Sequence, residues 1–261
     1  VQPRPAGCLT MSRLPLALES AVSRSQPLSL KRAINLYAEK APVDAKTPTA
    51  LFNTPGLLAY VTAGAGPILE MHTTANGSVY VVSGGLVYRL TSTPAAMLLG
   101  SVPTDDTPIF MASSDTQIAI ASAGEGLVIT IEADIVVDIS SVDFEEPVSS
   151  VTYLDGYFVW TKRDSQGFFI SKLLDARVYD ALDFASAETS PDHLVRAVAD
   201  HGELLLFGRK SIEPWYNAGE SDFPFRRRTS IVERGCLAPA SIAKIDNSLF
   251  WLGDDGIVYR F

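Results

Sequence analysis

Histidine is the side chain that most often does acid–base work or binds metal near neutral pH. The 261-residue chain has three: His72, His193 and His201. None has the His-Glu-x-x-His spacing that sets two imidazoles on one helix face around zinc. His201 fills a turn slot that Asp occupies in two sister segments described below, so turn duty is expected of it. His193 follows Pro191-Asp192 in a loop, where a surface role is expected, and His72 has no acidic partner at ligand spacing. Carboxylates pair at Asp105-Asp106, Glu145-Glu146 and Asp254-Asp255. Neighbours on a strand point to opposite faces and do not converge on one bond, so solvated turns are expected there. Cys8 and Cys236 lack a Cys or His at zinc spacing. They are read as free thiols, with a Cys8–Cys236 disulfide as the alternative. There is no Gly-x-Ser-x-Gly elbow and no phosphate-cradling Gly-x-x-x-x-Gly-Lys-Ser/Thr loop, and Gly64-Ala65-Gly66 has no strand–helix frame around it. The reading is therefore no catalytic residue, no cofactor-binding residue, no metal ligand, and no enzyme.

Charge narrows the partners. Lys and Arg total 21 against 30 Asp and Glu, a net of −9, and such a field repels phosphate backbones. Arg226-Arg227-Arg228 is the one dense basic cluster and is read as a solvated loop, with a phosphate contact as the alternative. Tight nucleic-acid binding is not expected. Neither is a membrane role: the most apolar stretch, Leu57 to Met71, is broken by Gly64, Gly66, Pro67 and Glu70. Met11-Ser12-Arg13-Leu14 reads as a start, and residues 1–10 are expected to lie outside the fold.

What could position any of these residues is a repeat. A turn dipeptide, an apolar strand, a second turn and a second strand recur five times. The first copy runs Asn76-Gly77, Val79 to Val82, Ser83-Gly84-Gly85, Leu86 to Leu90. The third runs Asp155-Gly156, Tyr157 to Trp160, a turn through Gly167, then Phe168 to Ile170. The second dipeptide residues are Gly77, Thr116, Gly156, Gly202 and Asn247, with steps of 39, 40, 46 and 45 residues. Short strands at this period mark a β-propeller, all-β, built of four-stranded blades. A blade has two apolar faces and buries them only against its neighbours, which explains why the strand after each marker dipeptide is apolar on both sides. Trp160, Trp215 and Trp251 fall on strands and are expected in inter-blade core, a ligand-stacking platform being the alternative. Residues 135–137 and 148–151 suit further strands; Leu174-Asp175-Ala176-Arg177 opens either a short helix or a loop. Residues 1–30 are expected to be an irregular leader and residues 31–261 the propeller, with about five recognisable blades.

Several stretches resemble the packaged-DNA stabilization proteins of short-tailed phages, the tail accessory factor or tail hub family. They are Asn35-Leu36-Tyr37, Thr54-Pro55-Gly56-Leu57, Asp155 to Trp160, Phe184 to Glu188 with Pro191-Asp192, and Ser211 to Tyr216. The longest is Glu233-Arg234-Gly235-Cys236-Leu237-Ala238-Pro239 continuing to Leu249-Phe250-Trp251-Leu252-Gly253. The resemblance implies a structural component of the virion tail, made in the bacterial cytoplasm. It would bind in several copies beneath the portal ring, carry the tail needle and retain the genome. The family chain is longer, so five blades ending at Phe261 are expected to form an incomplete ring with an open edge. The competing expectation is a glycan-binding or glycan-hydrolysing propeller with Trp215 and Tyr216 as its platform.

Overall fold

The computed structural model describes residues 12–13, 36–40, 49–187, 192–220 and 222–261, with side chains from Phe52 onward. The expected leader lies outside the described residues apart from Ser12 and Arg13, and so do Cys8, Asn35 and residues 188–191. The chain divides into two compact units, Leu14–Tyr60 and Val1–Arg13 with Val61–Phe261. The smaller holds one antiparallel hairpin, β2 (Leu36–Lys40) and β3 (Thr49–Asn53), with Tyr37 opposite Phe52.

The larger unit is a β-propeller of five antiparallel sheets. Blade 1 is β4 (Ile68–Thr73), β5 (Val79–Ser83), β6 (Leu86–Leu90) and β7 (Ala96–Ser101). Blade 2 is β8 (Phe110–Ser113), β9 (Gln117–Ser122), β10 (Glu125–Thr130) and β11 (Ile135–Asp138). Blade 3 is β12 (Val148–Leu154), β13 (Tyr157–Lys162), β14 (Gly167–Lys172) and β15 (Asp175–Ser186). Blade 4 is β16 (Leu194–Asp200), β17 (Glu203–Gly208), β18 (Ile212–Asn217) and β19 (Phe225–Arg227). Blade 5 is β20 (Ala243–Ile245), β21 (Ser248–Leu252) and β22 (Val258–Arg260), with β1 (Ser12–Arg13) pairing on β22. The strand β1 thus supplies the outer, fourth strand of blade 5. The described residues contain no α-helix, only a 3₁₀ turn at Pro239–Ser241.

Each marker dipeptide turns the first strand of a blade into the second. Asp155, His201, Asp246 and Asn247 take the positive φ that such turns need, at 50°, 48°, 47° and 57°. The segment opening at Leu174 is neither helix nor loop but β15, the outer strand of blade 3. Arg226 and Arg227 lie in β19, the outer strand of blade 4, rather than in a loop.

The second strands are the buried ones: β9 is buried at all six positions. Four apolar clusters join blade 1 to 2, 2 to 3, 3 to 4 and 4 to 5. Trp160, Trp215 and Trp251 are all buried in them, each contributing on the order of 2–3 kcal/mol of apolar burial. Among the described residues no fifth cluster joins blade 5 to blade 1. There Met71 is 63% exposed, Leu98 55% and Ile245 59%.

The first strands surround the axis and leave an edge of unpaired backbone groups. The preceding blade satisfies some of them. Ala197 N–H donates to Ser150 Oγ at 3.0 Å, and Ala199 N–H to Thr152 Oγ1 at 3.1 Å. Blades 4 and 5 approach so closely at Gly235 that a Cβ there would sit 2.0 Å from the Arg209 carbonyl oxygen.

Candidate functional site

The axis of a propeller is where side chains from all blades converge, and here a guanidinium reaches it. Arg196 interrupts the apolar run of β16. Its Nη1 donates to the carbonyls of Pro239 at 3.0 Å and Ile242 at 3.3 Å, both leading into blade 5. Its guanidinium carbon stands 4.3 Å from the ring centroid of Phe110 in blade 2, a cation–π contact. Glu70 of blade 1 attracts it without forming an ion pair. Burial disfavours charge on both, lowering the Arg196 pKa and raising that of Glu70.

On one face the second-to-third-strand turns enclose a basin of about 660 Å³ around the axis, floored by Phe110, Leu194 and Cys236. Its rim is a chain of ion pairs between blades. Arg163 of blade 3 meets Asp105, ahead of blade 2, at 3.3 Å. Arg209 of blade 4 meets Asp164 of blade 3 at 3.3 Å, and Lys210 meets Asp254 of blade 5 at 4.0 Å. Exposed pairs of this kind contribute well under about 1 kcal/mol each and serve mainly to fix the turns relative to one another. Cys236 is buried, free, and donates to the Ala238 carbonyl; burial raises its pKa, so it is a poor nucleophile.

On the opposite face a smaller well of about 350 Å³ is lined by the ends of the first strands. His72 lies in it, Nε2 2.8 Å from Ser113 Oγ, with its pKa lowered by burial. Beside the well, His201 has both ring nitrogens engaged. Nδ1 is 2.8 Å from Asp200 Oδ2 and Nε2 is 2.8 Å from Asn247 Oδ1, on blade 5. These two acceptors favour the imidazolium and raise its pKa. Through these two contacts the imidazole joins blade 4 to blade 5.

The other sequence candidates are dispersed. His193 is exposed, and its carbonyl accepts from Arg209 N–H. Asp105 caps its own turn through Thr107 N–H at 2.8 Å, and Asp255 accepts from Tyr259 Oη at 2.6 Å. Glu145 pairs with Lys162, and Glu146 accepts from Gly126 N–H. Arg226 pairs with Glu220 at 2.5 Å. Arg228 pairs with Glu203 at 2.7 Å and covers the Tyr216 ring at 4.6 Å. The basic cluster is thereby largely neutralised. Trp215, expected in the core with an exposed platform as the alternative, is 8% exposed and packs edge-on against Phe168. Among the described residues no three His, Cys, Asp or Glu side chains gather as a metal site.

Sequence reasoning missed Arg196, although an arginine inside Leu194-Val195-Arg196-Ala197-Val198 is a visible break in an apolar strand. It also missed Asp192, which is buried and accepts from three backbone N–H groups. Those of Arg209, Lys210 and Ser211 reach it at 2.9, 2.6 and 3.0 Å. A Pro-Asp pair in a loop carries no signal of that task.

No curated protein matches the sequence. Among solved structures the chain spans 57% of the computationally designed Ika8 protein (15% identity, 74% of this chain, TM-score 0.49). It spans 68% of YCF48 bound to D1 peptide (12% identity, 81% of this chain, TM-score 0.53). It spans 73% of a catalytically inactive virginiamycin B lyase from Staphylococcus aureus with quinupristin (10% identity, 87% of this chain, TM-score 0.52). At such identities the last two share the fold alone. The family model described as bacteriophage P22 Gp10, β-propeller, matches residues 24–256. That is a phage structural family, and the match takes in blades 1 to 4 and, of blade 5, β20 and β21, leaving out β22 and β1. With the blade repeat and the ordered motifs inside the matched region, the chain belongs to the phage stabilisation family of bacteriophage P22 Gp10.

Proposed function

We propose that the protein is a tail component that acts by binding, docking in several copies beneath the portal ring, closing the DNA exit channel and carrying the tail needle. The observation that carries this reading is the family match over residues 24–256. The architecture supports it. Antiparallel blades joined by continuous apolar clusters resist shear, and polar links such as Arg163–Asp105 and His201–Asn247 tie the turns of neighbouring blades. A rigid body of this kind presents loops at fixed spacing. Repeated around a symmetric assembly, weak contacts then add into a lasting seal. The net charge of −9 suits a surface along which DNA passes without being held.

The test is genome retention. Virions assembled without the protein should package DNA and then lose it to nuclease, and adding the purified protein before nuclease should restore protection. Full protection in its absence would overturn the proposal.

A further inference from the structure

We propose that the axial well on the His72 face binds a small oxyanion, a carboxylate or phosphate, anchored by Arg196 with Lys244 in its wall. The well holds about 350 Å³, ample for either group. Its lining includes two cations, Arg196 and Lys244, the hydroxyls of Ser113 and Thr152, and the imidazole of His72. It includes no Asp or Glu, although acidic residues outnumber basic ones 30 to 21 in the chain.

The guanidinium is half used. Nη1 makes both of its hydrogen bonds, to Pro239 and Ile242. Nε is buried and has no partner, and among the described residues Nη2 makes no hydrogen bond. The Nε–Nη2 edge is the fork that takes two oxygens of one carboxylate or phosphate in parallel. A buried donor left unpaired is costly, and an oxyanion is the group that would satisfy this one with charge as well.

Two carboxylates compete and neither closes the site. Glu70 borders a separate cavity of about 210 Å³ that also touches Arg196. Asp200 lies 3.2 Å from Lys244 Nζ, but outside the lining of the well. His72 is kept neutral by burial and can still donate one N–H. This site does not depend on the tail role proposed above.

The experiment titrates the folded chain with inorganic phosphate, following the ³¹P resonance and the melting temperature against sodium chloride of equal ionic strength. A parallel arm uses a short peptide ending in aspartate. Phosphate should broaden its resonance and raise the melting temperature where chloride does not. Lys244→Met should weaken binding about tenfold, the loss expected for one charge-assisted contact. Arg196→Lys, which keeps the charge and loses the fork, should abolish it. Should Arg196→Lys fail to fold, Lys244→Met carries the test. Arg163→Gln, on the opposite face, should change nothing. Tighter binding of the peptide identifies a chain-borne carboxylate as the natural occupant; tighter binding of phosphate identifies a free anion. Equal response to phosphate and chloride with no peptide binding, wild-type affinity in folded Lys244→Met, or loss of binding in Arg163→Gln would each overturn the proposal.

Discussion

His201 shows how a residue usually associated with catalysis becomes a fastener. Its two nitrogens face Asp200 on its own blade and Asn247 on the next, with Lys244 nearby as the one opposing charge. The acceptors raise its pKa above the ordinary imidazole value of about 6.5. Its contribution to stability is therefore complete below that ordinary value and is lost as pH rises through the higher folded value. Wild type should exceed His201→Gln in urea resistance at about pH 5.5 and lose that advantage by about pH 9. An advantage that grows with pH would contradict the assignment. Arg196 is the opposite case, a cation whose position is set by backbone carbonyls and an aromatic face rather than by an acid.

At the scale of elements, Asp192 is the residue on which the β17–β18 turn depends. Its carboxylate holds three consecutive N–H groups that no strand pairs. Asp192→Ala leaves the buried Ser211 N–H without its acceptor and removes one from Lys210, while Arg209 N–H keeps the His193 carbonyl, and should cost about 2 kcal/mol. Asp192→Asn, which keeps one acceptor oxygen, should cost less. Urea unfolding measures both; a loss under about 0.5 kcal/mol for the alanine variant, the size of an ordinary surface change, would show that the turn holds without it. The second and third strands of each blade are legible in the sequence because they are apolar and follow a turn dipeptide, Asn-Gly, Asp-Gly or His-Gly in blades 1, 3 and 4 and Asp-Thr or Asp-Asn in blades 2 and 5. The first strands are not, because they mix Ser, Thr and Ala that serve the axis, as Ser150 and Thr152 do. The outer strands are not either. β15 alternates poorly because its side chains are half-wet, and β19 reads Phe225-Arg226-Arg227 because the blade edge faces solvent and finds acidic partners. The axial well was illegible for a related reason. Its members lie on five blades, 41 residues apart in the case of His72 and Ser113, and only the ring brings them together.

At the scale of the whole molecule, charge and architecture make two statements about partners. The first concerns DNA. An acidic chain whose Arg226–Arg228 cluster is largely paired with acids should not hold duplex DNA at about 150 mM salt. Micromolar retention in a gel-shift assay at that salt would contradict it. The second concerns assembly. The four seams between consecutive blades are apolar, so the blades they join are held stiffly. Blades 1 and 5 carry exposed Met71, Leu98 and Ile245 where the fifth seam would lie. In the tail role proposed above, that is where a neighbouring protein would pack.

The measurement that tests the account most directly is binding of the purified chain to the portal ring of the same phage, followed by sedimentation and imaging. The account predicts a stable complex in which several copies sit symmetrically below the ring. A chain that is folded and monomeric but leaves the portal unoccupied at micromolar concentration would contradict it.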